Sequence, residues 1–208
     1  MADYPSIGIA SGARALVITV SDGVAAGTRR DESGVALADR LARAGFRVDR
    51  IAVADDRTAI ERALRDGAVE HTFIISTGGT GLTPRDVTPQ ATHAVIDYEV
   101  PGLAEAIRAA GRAKTPMADL SRGVVGVIGK SLVVNTPGSP KAALESLAAI
   151  EPTLAHALET LAGPFDHGTA GAGHGARPDL PAPDAEEPWV PIPDENDEWR
   201  DLPGERSS

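Results

Sequence analysis

Thr72-Phe73-Ile74-Ile75-Ser76-Thr77-Gly78-Gly79-Thr80-Gly81-Leu82-Thr83-Pro84-Arg85-Asp86-Val87-Thr88-Pro89 is the stretch that decides how this chain is read. Its first four residues are β-branched or aromatic, the make-up of a short buried strand. Three glycines among Ser and Thr follow, so side-chain bulk disappears where the strand ends. Backbone there can come close to a ligand and turn N–H groups toward an anion. Arg85 and Asp86 lie within five residues of Gly81 and add a cation and a carboxylate. Donors for phosphate oxygens, a cation and a metal-binding carboxylate are together what a nucleotide-handling site requires.

Two familiar nucleotide motifs fail on spacing. Gly79-x-Gly81 is not a dinucleotide fingerprint, because Pro84 stands where the third glycine belongs. Gly129-Lys130-Ser131 resembles the tail of a Walker A loop, but the first glycine of that motif would fall at Val124, one residue past Gly123. The apolar runs Val124–Ile128 and Leu132–Val134 flank Gly129-Lys130, which therefore reads as a hairpin turn.

Working outward, strand and helix patterns alternate. The run ending at Val20 gives way to Ser21-Asp22-Gly23. Asp31-Glu32-Ser33-Gly34 then supplies cap-type residues for a helix carrying Leu37, Leu41 and Ala44. Phe46–Val53 alternates as a half-buried strand does, and Asp55-Asp56 ends it before a helix marked by Ile60, Ala63, Leu64 and Ala68. Thr88-Pro89 and Pro101 open two more helices, with Pro in the first turn. The strand after Lys130 ends in Asn135-Thr136-Pro137-Gly138-Ser139-Pro140, and a leucine-rich helix runs on to Gly163. This order predicts an α/β fold with a mostly parallel sheet covered on both faces. Ligands of such sheets gather at the carboxyl ends of strands. All four polar clusters fall there: Ser21–Gly23, Asp55-Asp56, Thr77–Gly81 and Asn135–Ser139.

Composition narrows the classes further. With 208 residues and 42% hydrophobic content the chain can bury one substantial core. It contains no cysteine, so disulfides, thiolate metal sites and cysteine nucleophiles are excluded. No apolar run reaches membrane-spanning length and the first residues lack a leader pattern, so a cytoplasmic protein without membrane attachment is expected. The net charge of −10 is concentrated from Gly163 to Ser208, where eleven acids meet three bases. The rest is close to neutral, and neither part offers the basic face that nucleic acid needs. That last segment is rich in Pro, Gly and acids. It also holds both tryptophans, Trp189 and Trp199, and reads either as a solubilising tail or as a docking arm for a protein partner. The five histidines are not spaced as a metal set.

Thr77–Gly81 with Arg85–Pro89, preceded by Ser21-Asp22 and Asp31-x-Ser33-Gly34 and followed by Asn135-x-Pro137-Gly138-Ser139-Pro140-Lys141, closely resembles the MogA/MoaB family of molybdenum-cofactor biosynthesis. The gephyrin-type G domain is similar. The likeness covers residues 13–162, leaving 1–12 as an N-terminal extension and 163–208 as a tail. It implies a three-layer α/β/α sandwich, a homotrimer, and transfer of AMP from Mg-ATP to molybdopterin with release of pyrophosphate. It further implies that Asp86, with Asp55 or its neighbour Asp56, holds Mg2+ and carries catalysis. Gly78, Gly79, Thr80, Gly81 and Arg85 would meet phosphates, and Ser21, Asp22, Asn135, Pro137, Gly138 and Ser139 would line the pterin and nucleotide pocket. Some members keep the pocket without the transfer, so a silent molybdopterin carrier, or a scaffold acting through the Trp-bearing tail, is the alternative.

The residues alone leave other roles open. Asp86 could cap the helix at Thr88, Asp55 and Asp56 could be turn acids, and Arg85 could either anchor phosphate or pair within its own turn. Thr136 stands where the family often has a hydrophobic residue.

Overall fold

The computed structural model describes residues 12–163. The strands are β1 Arg14–Val20, β2 Arg47–Val53, β3 Phe73–Thr77, β4 Tyr98–Glu99, β5 Val125–Ile128 and β6 Ser131–Thr136. They form one sheet in the order β2-β1-β3-β6-β5-β4. The first four of these positions pair in parallel, and β5 is antiparallel to both β6 and β4. The helices are α1 Asp22–Ala25, α2 Glu32–Arg43, α3 Arg57–Glu70, α4 Thr88–His93, α5 Pro101–Arg112 and α6 Pro140–Ala162, with a 3-10 turn at Pro116–Leu120. The N-terminal extension before Gly12 and the tail after Gly163, with Trp189, Trp199, His167 and His174, lie outside the described residues.

The three layers follow from the alternation of side chains along the strands. On β3, Phe73 and Ile75 face a core shared with α2, α5 and α6, through Leu37, Leu41, Ile107, Leu147 and Ile150. Ile74 faces the opposite core, with Ile60 and Leu64 of α3 and Ala91 of α4. All three side chains are fully buried, each contributing about 1.5–3 kcal/mol of transfer free energy. A strand buried on both faces has to be apolar throughout. That is why Phe73–Ile75 carries no polar side chain before Ser76.

Two features depart from the expectation. The alternating pattern of Phe46–Val53 reads as a half-buried strand, yet β2 is the sheet edge and only Val48 and Val53 are partly covered. Its charges are tied down instead by Arg14–Asp49 (2.8 Å) and Arg50–Asp31 (3.3 Å), which suits an edge that must not recruit another strand. The two-residue β4 is too short to leave any pattern in the sequence. The Gly129-Lys130 hairpin forms as expected, with Gly129 at φ +57°.

Candidate functional site

The parallel strands β1, β2, β3 and β6 end together at Val20, Val53, Thr77 and Thr136, so the loops that follow form one rim. The Gly78–Gly81 turn lies at its centre. Gly78 (φ +104°) and Gly79 (φ +63°) have left-handed backbone. A Cβ on Gly78 would stand 2.3 Å from Val20 O, and one on Gly79 would stand 2.3 Å from Thr88 Oγ1. Glycine is thus required on both counts. Thr88 secures the turn by donating Oγ1–H to Gly78 O (2.9 Å) and N–H to Gly79 O (3.1 Å). The Gly78 N–H is itself spent on Thr136 O (3.1 Å). The donors left for a ligand therefore lie further along, at Gly79 and Thr80.

Asp86 closes the turn. Its Oδ2 accepts from Thr83 N–H (2.8 Å) and Thr83 Oγ1–H (2.6 Å), and the Asp86 N–H returns to Thr83 O (3.0 Å). Burial pushes its carboxyl upward, but the Thr83 hydroxyl, the Thr83 and Gly81 amides and the nearby Arg122 charge outweigh it. The net result is a pKa below the usual carboxylate value. Asp86 does not cap α4: the cap position is Val87, which makes no side-chain capping bond. Arg122 clamps the same loop, donating Nε–H to Gly81 O (2.7 Å) and Nη2–H to Asp86 O (2.5 Å), while its N–H bonds Thr80 O (3.0 Å).

The two adjacent acids after β2 separate in role. Asp56 caps α3, accepting from Ala59 N–H at 2.8 Å. Asp55 turns to the rim and exchanges bonds with Asp22: Asp22 N–H donates to Asp55 Oδ2 (2.9 Å) and Asp55 N–H to Asp22 Oδ1 (3.0 Å). Arg85 pairs with the second Asp22 oxygen, so the guanidinium bridges the glycine turn to the loop after β1. Ser21 Oγ caps α1 at Val24 N–H (3.4 Å). Ser139 Oγ caps α6 at Ala142 N–H (3.1 Å).

Asn135 sits elsewhere than expected. It is 2% exposed. Its Oδ1 accepts from Val124 N–H (3.1 Å), and its Nδ2 donates to Ser76 Oγ and Thr92 Oγ1 (both 3.0 Å). The side chain lies beneath the rim, tying β6 to β3, α4 and the residue that leads into β5, rather than lining a pocket. Thr136 likewise faces inward, donating to Ser76 O (2.8 Å).

Two cavities flank the turn. One, of about 340 Å3, is polar and contains Ser21, Asp55, Gly78, Gly79, Gly138 and Ser139, with Arg29 and Arg30 at its α2 side. The other, of about 280 Å3, contains Thr80, Gly81 and Pro137 against α5, the 3-10 turn and α6. Its walls are mostly apolar: Ile107, Met117, Ala118, Leu120 and Ala142. Of the predicted residues, Ser21, Asp55, Gly78, Gly79, Gly138 and Ser139 line the polar chamber and Thr80, Gly81 and Pro137 the apolar one, whereas Asp22, Arg85, Asp86 and Asn135 line neither; Asp86 stands behind the turn, bonded to the Gly81 amide. Arg122, Arg29, Arg30 and the 3-10 segment carry no sequence signal that assigns them here, because each reaches the site only through the tertiary fold.

Mg2+ is held by one or two carboxylates plus substrate phosphates rather than by an all-protein cage. Among the described residues no three His, Asp or Glu side chains gather as a ligand set. Asp86, held ionised, and the Asp55–Asp22 pair both stand along the rim. That donor set fits an ion carried in with a polyphosphate.

The family model described as "Probable molybdopterin binding domain" matches residues 16–156. A molybdenum cofactor biosynthesis bifunctional protein of Synechococcus elongatus is 40% identical over 169 residues, 80% of this chain and 53% of its own length. The chain thus spans about half the length of the bifunctional relatives it matches. A molybdopterin adenylyltransferase of Helicobacter pylori is 34% identical over 72% of this chain and 88% of its own. The solved Mog protein of Mycobacterium ulcerans superposes with a TM-score of 0.69 at 41% identity, over 72% of this chain and 99% of that one. The chain belongs to the molybdopterin-binding domain family of molybdenum cofactor biosynthesis.

Proposed function

We propose that this chain transfers AMP from Mg-ATP to molybdopterin. The observation that carries this reading is Asp86, a carboxylate held below its usual pKa by bonds to Thr83 and Gly81 in the turn whose Gly78–Gly81 backbone lines both cavities. The H. pylori relative's name, molybdopterin adenylyltransferase, supports it. In the reaction a terminal phosphate oxygen of molybdopterin forms a bond to the α-phosphorus of ATP. The bond from that phosphorus to the bridging oxygen breaks, and pyrophosphate leaves with the electron pair. Such transfers depend on alignment and charge neutralisation more than on covalent help. Gly79 and Thr80 present amides to the phosphates, Arg85 adds positive charge, and Asp55 fixes the Asp22 loop. Asp86, with Asp55, would hold Mg2+, whose charge offsets that developing on the phosphate oxygens. The whole reaction belongs to residues 13–162, with 163–208 a separate arm for a protein partner. The homotrimer expected of the fold is checked by light scattering.

Incubation of the chain with molybdopterin, ATP and Mg2+ tests the assignment directly. Adenylylated pterin and pyrophosphate are expected. Asp86→Ala should lower both products by about 100- to 1,000-fold while pterin remains bound. Pterin bound but unmodified by the native chain would support a carrier instead.

A further inference from the structure

Four polar side chains are packed together beneath the rim. Ser76, Thr88, Thr92 and Asn135 are each at most 2% exposed. Such a group is tolerated only when every member is paired, and among the described residues none of these four leaves a buried side-chain atom without a partner. Their bonds run in one direction. The Val124 N–H can only donate, so the Asn135 oxygen faces it (3.1 Å) and the amide nitrogen turns to Thr92 Oγ1 (3.0 Å). With that donor on one side, the Thr92 hydroxyl sends its own proton to Thr88 O (2.9 Å). Thr88 then donates to Gly78 O and Gly79 O. Bonds aligned head to tail in a buried site strengthen one another. The chain starts two residues after Arg122, which holds the other side of the turn at Gly81 O and Asp86 O.

We propose that Asn135 and Thr92 are positioning residues for phosphate capture: touching no ligand themselves, they fix Thr88 and so aim the Gly79 and Thr80 N–H groups. This rests on the transfer reading above. The C=O and N–H of one trans peptide unit point opposite ways in a single plane. Gly78 O shares its plane with Gly79 N–H, and Gly79 O shares its plane with Thr80 N–H. By holding both carbonyls inward, Thr88 turns both donors outward. Consecutive glycines have no Cβ to resist a flip of these planes, so the turn's own residues do not set that orientation. The buried chain behind Thr88 does, and its last link before Thr88 is the Thr92 hydroxyl.

The test compares variants of the full-length chain. Thr92→Val keeps the shape and removes the hydroxyl. Thr92→Ser keeps the hydroxyl and loses a methyl. Ser76→Ala removes the other bond of the same Asn135 amide (3.0 Å), off the path to the turn. All three should melt below the native chain. Amide exchange at Gly78 and Thr88, measured without ligand, reads the lock directly. It should quicken by roughly 10-fold in Thr92→Val, the loss of one buried hydrogen bond, and stay near native in the other two. AMP transfer at saturating substrate should fall by about 10-fold in Thr92→Val alone. Thr92→Cys, with its weak thiol donor, should fall between Ser and Val, and it carries the comparison should Thr92→Val not fold. Transfer that follows melting temperature across the set would overturn the assignment. So would quickened exchange in Thr92→Val with native transfer and native MgATP affinity. If the native chain binds MgATP but transfers no AMP, the transfer reading fails, and the same order of variants in MgATP affinity decides the positioning role. A native chain that binds no MgATP overturns both.

Discussion

The two chambers beside the glycine turn are built from opposite materials. The polar one is made of loops that end parallel strands and of two helix starts, capped by Asp31 and Ser139. The apolar one is made of the inner faces of α5 and α6 and the 3-10 turn between them. The first offers donors and charge; the second offers mostly apolar surface. What separates them is a wall of backbone, Gly78–Gly81, locked by Thr88 on one side and Arg122 on the other.

The comparison can be broken first at the wall's carboxylate. Asp86→Ala should lower AMP transfer by about 100- to 1,000-fold, the scale on which a preorganised electrostatic group acts, with pterin affinity retained in a binding titration. Gly79→Ala attacks the wall itself. Its Cβ would stand 2.3 Å from Thr88 Oγ1 in left-handed backbone, so a loss of about 2–3 kcal/mol and a melting temperature lower by roughly 5–10 °C are expected. Both chambers should weaken together in that variant.

Arg122→Ala tests the clamp on the apolar side. Transfer should fall by about 10-fold, the cost of a slightly misplaced reacting group. Because the Asp86 pKa is held down, the carboxylate is ionised at neutral pH, and its contribution is lost only as pH falls through that depressed value. Without Arg122 the acid limb of the rate profile should therefore move to higher pH. A profile that does not shift would remove Arg122 from the electrostatics of Asp86. The smallest effect separates neighbours after β2. Asp56→Ala should cost about 1 kcal/mol of stability as a lost helix cap, with transfer unchanged. Asp55→Ala should lower transfer with little change in melting temperature.

Much of this was legible beforehand because local rules and tertiary demand agree. The apolar run Phe73–Ile75 reads as a strand buried on both faces, and the glycines after it mark a left-handed backbone at positions 78 and 79. The rim followed once β1, β2, β3 and β6 were taken as parallel. The misreadings share a cause: they concern which way a side chain points after the sheet is assembled. Asn135 looked like a rim residue because it precedes Pro137-Gly138, yet its amide is consumed inside. The pattern of β2 suggested a covered face, although its strand lies at the edge. Arg122 is 36 residues from Asp86, and nothing local to either announces their contact.

The donors that remain free on the wall, at Gly79 and Thr80, belong to the main chain. A peptide N–H does not titrate in any range where the protein is folded. The turn's hold on an anion is accordingly blind to proton concentration, and to whatever compartment sets it. Any pH dependence in ligand capture has to come from the ligand's own phosphates or from side chains around them. A binding curve measured across pH would thus report on those groups alone, with the backbone as its fixed reference.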